Sequence, residues 1–223
     1  MKPHRVSMYS GFERFWHWTQ AVLILLLGLT GLEIHGSFQF LGYRQAVAYH
    51  NAAAIGLLVL IAFAIFWHFT TGEWRQYLPT RQMLGAQVEY YLTGIFRDAP
   101  HPTKKTPRNK LNPLQKLVYL GLKILVIPVM VVTGLLYMFH RYPQSHGSAL
   151  FGPKALAAVA VTHTAGAFFL MAFVISHIYL TTTGGTPVSN LKEMLSGREE
   201  WEAHSGETGH PMPVAPEPAR GQA

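Results

Sequence analysis

Residues 161–180, VTHTAGAFFLMAFVISHIYL, carry the decision about fold. The stretch is apolar on every side of a helical projection, interrupted chiefly by two histidines, His163 and His177. A helix on a soluble protein shows a polar face, whereas one apolar all round sits in a large core or a membrane. The run extends from about residue 155 to about 182, and roughly 20 apolar residues suffice to cross the hydrocarbon core. Three further segments qualify. They are about 15–34, with AVLILLLGLTGL, about 46–70, with AAAIGLLVLIAFAIF, and about 114–139, with YLGLKILVIPVMVVTGLLYMF. Pro128 lies inside the third and is expected to kink it.

Composition agrees. Only 13% of the 223 residues are charged and 49% are hydrophobic, against about 25% charged in ordinary soluble domains. The expected fold class is all-α, an integral-membrane four-helix bundle spanning residues 1–203. Met83, Leu84, Val88, Tyr91, Leu92, Ile95 and Phe96 share one helical face, which predicts an amphipathic helix over about 83–96 lying on the cytoplasmic surface. A second short amphipathic helix is expected over about 190–202. The Pro/Gly-rich segment 204–223 reads as a disordered cytoplasmic tail. HFTTG at 68–72 and HIYLTTTG at 177–184 look alike and read as a helix-exit pattern rather than a repeat.

The net charge of +7 is a matter of topology. Lys2, Arg5 and Arg14 precede the first span. Arg75, Arg81, Arg97, Lys104, Lys105, Arg108, Lys110 and Lys116 lie between the second and third. Lys192, Arg198 and Arg220 follow the fourth. The other two loops hold only Arg44, Arg141 and Lys154. The positive-inside rule therefore places both termini and the middle loop in the cytoplasm of a bacterial inner membrane, with no need of nucleic acid as a partner. The first span is too long for a signal-peptide h-region and lacks a following A-x-A site, so it reads as an uncleaved span.

The chain has 12 histidines and no cysteine. This excludes disulfides, thiolate zinc sites, cysteine-ligated iron–sulfur clusters and covalent haem attachment. Five histidines, His17, His50, His68, His163 and His177, fall within the spans, where ionisable groups mark function by default. His163 and His177 are 14 residues apart, about 21 Å along a helix and about 40° short of four full turns. They share a face at two depths. With alternating span directions, His50 matches the depth of His163 and His17 that of His177. Two imidazoles facing each other from different helices suit axial ligation of a b-type haem, and two such pairs make a redox path across the bilayer. Glu33 is the one carboxylate in the spans, which argues against a non-haem metal centre. His68 can replace His17 as a ligand, bond a haem propionate or a quinone, or sit as an interfacial histidine near Trp67 and Trp74. Arg14, Arg75 and Lys123 are candidate propionate partners, or else anchor and snorkel at the interface.

RFWHW at 14–18, His50, NPLQK at 112–116 and the pair at 163 and 177 resemble the bacterial family of four-helix di-haem cytochromes b. That family includes the membrane cytochrome subunits of nickel–iron hydrogenase, respiratory formate dehydrogenase (its gamma subunit) and thiosulfate reductase. The resemblance covers roughly residues 10 to 200. It implies two haem b groups, with His17 and His177 as axial ligands on the cytoplasmic side and His50 and His163 on the periplasmic side. It also implies a quinone site at Asn112, Gln115 and Lys116 beside His177, whereas His68 has no general role in the formate dehydrogenase pattern and is a quinone candidate from its position alone. Relatives have a glycine where this chain has Pro113-Leu114, and Asn112-Pro113 also reads as a helix N-cap.

The expected function is an electron-transfer subunit of a respiratory oxidoreductase complex. It carries electrons between a periplasmic catalytic or multihaem subunit and the quinone pool. Two alternatives are a self-sufficient di-haem quinone reductase oxidising a diffusible reductant, and a non-haem transporter using histidines as proton relays.

Overall fold

The computed structural model describes residues 4–80, 83–97, 99, 102–103, 106, 109–141, 152–184 and 186–201. The tail 204–223 and the basic residues Arg81, Lys104, Lys105, Arg108 and Arg220 lie outside them. Four helices are long and apolar enough to cross a membrane.

The first, α1 (Gly11–Ile34), opens on a reciprocal cap. The Glu13 backbone N–H donates to Ser10 Oγ at 3.2 Å, and the Ser10 N–H donates to Glu13 Oε2 at 2.8 Å. At its far end Glu33 is buried and satisfies the turn into α2 (Tyr43–Thr71). Its Oε1 accepts the backbone N–H groups of Phe40, Leu41 and Gly42 at 2.9, 2.7 and 2.7 Å. A carboxylate at a helix N-terminus meets both the orphan donors and the positive end of the dipole. Glu33 is thus a structural clasp. The helix α2 stops at Gly72, whose φ of +77° turns the chain into a short 3₁₀ segment, Glu73–Tyr77.

The expected amphipathic helix is shorter than its pattern. It runs as α3 (Leu84–Leu92), then tightens to a 3₁₀ turn at Gly94–Arg97. The third span is α4 (Pro113–Gly121), one π turn (Leu122–Val126) and α5 (Ile127–Arg141). Pro128 has no N–H to donate four residues back. The chain widens just before it, so that the Ile127 N–H reaches Leu122 O. The proline is absorbed by a π turn, a recognised alternative to a sharp break. The fourth span is α6 (Pro153–Thr181).

At the end of the bundle where α1 begins, residues 4–7 and 198–201 meet. The helix predicted over 190–202 is α7 (Ser189–Ser196) only. Gly197, with φ +77°, ends it, and residues 198–201 turn into a strand. Strand β1 (His4–Ser7) pairs antiparallel with β2 (Arg198–Trp201), Ser7 opposite Arg198. The Met8 and Tyr9 N–H groups both reach Gly197 O, at 2.9 and 3.2 Å. This end is called lower below, and the end carrying Glu33 upper.

The helices pack as two hairpins, α1 on α2 and α5 on α6. Their outer faces expose Val22, Leu25, Leu29, Phe63, Phe66, Phe169 and Ile175, the signature of a bundle whose solvent is lipid. The protein is an all-α, multi-pass membrane bundle.

Candidate functional site

The two hairpins face one another across four histidine rings. At the upper level His50, on α2, faces His163, on α6, with ring centroids 6.4 Å apart and planes at 73°. At the lower level His17, on α1, faces His177, on α6, at 6.2 Å and 53°.

The upper pair has matched supports. Thr30 Oγ1 donates to Leu26 O at 2.6 Å, which leaves its oxygen to accept from His50 Nδ1–H at 3.0 Å. Thr133 Oγ1 donates to Val129 O at 2.6 Å and accepts from His163 Nδ1–H at 2.9 Å. These tautomers follow from the hydrogen-bond network. They leave Nε2 of both rings with a free lone pair. The next residue in each case is a glycine lying against the ring. A Cβ on Gly31 would stand 3.5 Å from His50 Cε1, and one on Gly134 would stand 3.2 Å from His163 Cε1. Thr-Gly-Leu therefore occurs twice in one role, at 30–32 and 133–135. Sequence reasoning missed this. The repeated tripeptide was the available signal, but it is too short to stand out in an apolar span. The HFTTG resemblance is a helix exit, with Thr70, Thr71, Thr181, Thr182 and Thr183 all bonding back to carbonyls one turn earlier.

The lower pair is asymmetric. His177 Nδ1 lies 3.3 Å from the Tyr119 hydroxyl, and its ring stacks on Phe173 at 5.8 Å. His17 Nδ1 is buried and has no partner. One turn earlier on α1, Arg14 donates from Nη1 to Leu195 O at 2.7 Å, while its Nε is buried and without a partner. Arg75 is exposed and lies over Trp74 at 5.7 Å.

Asn112 and Gln115 form a reciprocal cap on α4. The Gln115 N–H donates to Asn112 Oδ1 at 2.8 Å, and the Asn112 N–H donates to Gln115 Oε1 at 3.0 Å. Asn112 Nδ2 also donates to the Tyr91 hydroxyl at 3.1 Å. Burial raises the Tyr91 phenol above its ordinary value, partly offset by that bond. Lys116 follows, half-buried. His68 stands apart from the two pairs. It is 7% exposed and keeps company with Lys123, Tyr77 and Trp16.

A metal ion held by two imidazoles, with bonds of about 2 Å and ring nitrogens about 1 Å from each centre, sets the centroids about 6 Å apart. Both observed pairs match that spacing. The helix α6 supplies one ring to each pair, yet none of its residues is fully buried. Open flanks on α6 beside both pairs accommodate flat groups. The glycines against the upper rings and the orphaned polar atoms at the lower pair fit such groups as well. The residues present therefore fit haem.

Fold and site together define a membrane cytochrome of the b type, with histidines paired at two levels of its core. The family model described as prokaryotic cytochrome b561 matches residues 8–197, and the chain belongs to that family. Among its relatives is "Putative cytochrome YdhU" of Escherichia coli (strain K12), 32% identical over 200 residues that cover 86% of this chain and 74% of that protein. The protein is accordingly a membrane b-type cytochrome that transfers electrons through haem b. Family membership decides between haem and a proton-relay transporter in favour of haem.

Proposed function

We propose that the chain binds two haems and carries electrons between a periplasmic redox subunit and the membrane quinone pool. The observation that carries this reading is the pair of matched ring separations at two depths. His50 and His163 would hold the upper haem, and His17 and His177 the lower. When bound, each haem supplies reversible one-electron chemistry at its iron. The chain supplies the rest. Thr30 and Thr133 hold the upper rings in the tautomer that presents Nε2, and Tyr119 orients His177. Arg14, with its buried unpartnered Nε one turn from His17, is placed for a propionate at the lower haem. Arg75 remains a second propionate candidate. The positive-inside bias supports the lower end, with both termini, as cytoplasmic in a bacterial inner membrane. The quinone then docks at the lower end, at a site shared by His68 and the first turn of α4, with Asn112, Gln115 and Lys116.

A reduced-minus-oxidised spectrum of the purified protein, with a haem count per chain, tests this. Two b haems are expected. Replacing His17, His50, His163 or His177 by Ala should each cost one haem. A chain with no Soret band, or one that keeps both haems after His17→Ala, overturns the assignment.

A further inference from the structure

A cation sits in the lower half of the bundle without an acid to neutralise it. Lys123 Nζ lies 3.1 Å from the centroid of the Tyr77 ring, 5.5 Å from that of Trp16, and 3.4 Å from His68 Nε2. Among the described residues no carboxylate is within ion-pair distance of it, whereas Lys110 at the same end holds Glu13 at 2.6 Å. The π turn that absorbs Pro128 carries Lys123. His68 Nδ1–H donates to Ala64 O at 2.6 Å, which leaves Nε2 as an acceptor facing the ammonium and the Tyr77 hydroxyl, 3.4 Å away. Two aromatic faces, an ammonium and an imidazole thus converge from α1, α2, the 3₁₀ turn and the π turn.

Sequence neighbours tie the cluster to the lower histidine pair. Trp16 directly precedes His17, and Tyr119, one turn before Lys123, touches His177. The caps on α4 are chemically spent by comparison. The polar atoms of Asn112 are taken by Gln115 and Tyr91, and Gln115 Oε1 by Asn112. Lys123 is the group with charge and donors to spare.

Resting on the quinone reading above, we propose that the Lys123 ammonium, steadied by the His68 Nε2 acceptor, grips one oxygen of the quinone head group, with Trp16 and Tyr77 as that group's aromatic walls. Asn112 and Gln115 hold the neighbouring wall in shape and make no contact with the quinone. Lys123 is also the proton donor at that oxygen. Reduction of quinone to quinol takes two electrons from the lower haem site, one at a time, and two protons. One proton moves from Lys123 Nζ to the gripped oxygen, and the other reaches the second oxygen from water at the lower end. Water there also restores the ammonium. In the reverse direction the same oxygen returns its proton to the Lys123 amine. A half-buried ammonium without a carboxylate suits this, because the developing negative charge on the quinone oxygen provides the missing counter-charge.

The test uses the haem-loaded protein in detergent, with short-chain ubiquinol and menaquinol as probes. Stopped-flow absorbance follows haem reduction, and a dithionite endpoint and redox titration follow haem content and potentials. Lys123→Met is expected to slow quinol-driven reduction at least tenfold with haem content and potentials unchanged. His68→Gln should raise the quinol KM, and Lys123→Arg should recover grip more than rate. If Lys123→Met does not accumulate, Lys123→Gln is read the same way. Wild-type rates in the Lys123 variant overturn the inference, as does a haem loss or shifted potential that accounts for the slowing. If neither quinol reduces the wild-type haems, the quinone reading itself falls, which is a different result from an unaffected Lys123 variant.

Discussion

Thr30 and Thr133 show how much one hydroxyl decides. Each accepts the Nδ1–H of the adjacent helix's histidine and passes its own proton to a carbonyl one turn back. The bond fixes the tautomer and makes Nε2 more basic, which favours the oxidised, more positive iron. Removing such a partner typically changes metal affinity or activity 10- to 100-fold. Thr30→Val and Thr133→Val are therefore expected to raise the midpoint potential of the upper haem and leave the lower one in place. A tenfold change in the one-electron equilibrium is about 59 mV. A redox titration that resolves the two haems checks this, and an unshifted upper potential would show that the threonines merely fill space. At the lower pair His17 Nδ1 has no such partner, so two haems held as proposed would differ in potential.

At the scale of elements, turns settle what helical periodicity leaves open. The pattern over 190–202 continues past the true end of α7, because period and composition carry no information about Gly197. Its φ of +77° sends the chain back along β1, and a Cβ there would stand 2.7 Å from Tyr9 O. Gly197→Ala combines backbone strain with a clash against a backbone atom and is expected to cost about 1–3 kcal/mol. The Tm should drop, and protease should cut the sheet sooner, while the haem spectrum is retained. Tyr9 at the same junction adds a pH signature. Burial, then the nearby Glu193, raises its phenol above the ordinary value of about 10. The unfolded chain ionises first, so stability is full below about pH 10 and falls as pH rises past it. Tyr9→Phe should flatten that alkaline loss in a series of Tm measurements. An identical slope in both proteins would assign the loss to other groups.

Across the whole molecule, backbone packing is closest within the two hairpins, and the histidines bridge between them. A ligand that binds only the folded state stabilises it by mass action. Haem should thus be part of the bundle's architecture. Protein made under haem limitation is expected to melt at lower temperature and to recover on adding haemin, by at least several degrees. Equal Tm values with and without haem would mean that the hairpins hold together through their side chains alone. The membrane reading belongs to this scale too. Leu25, Phe63 and Phe169 are exposed on long helices, which only a lipid solvent makes inexpensive.

Four spans, their alternation and the two levels of histidine were legible along the chain, because hydrophobic length and helical rise are local properties that no neighbour can alter. The cap at Asn112-Pro113 was equally legible, since capping is settled within four residues. What the chain could not announce are the contacts that depend on two distant segments meeting. The Thr-Gly-Leu pair gains meaning only when α2 and α6 bring His50 and His163 to its threonines. The strand at 198–201 exists only because β1 lies beside it. Lys123 read as a snorkelling cation or a propionate partner until the fold set it against His68, Tyr77 and Trp16. A residue's propensity is intrinsic, but its partner is a property of the packed chain, and at those three places packing decided the partner.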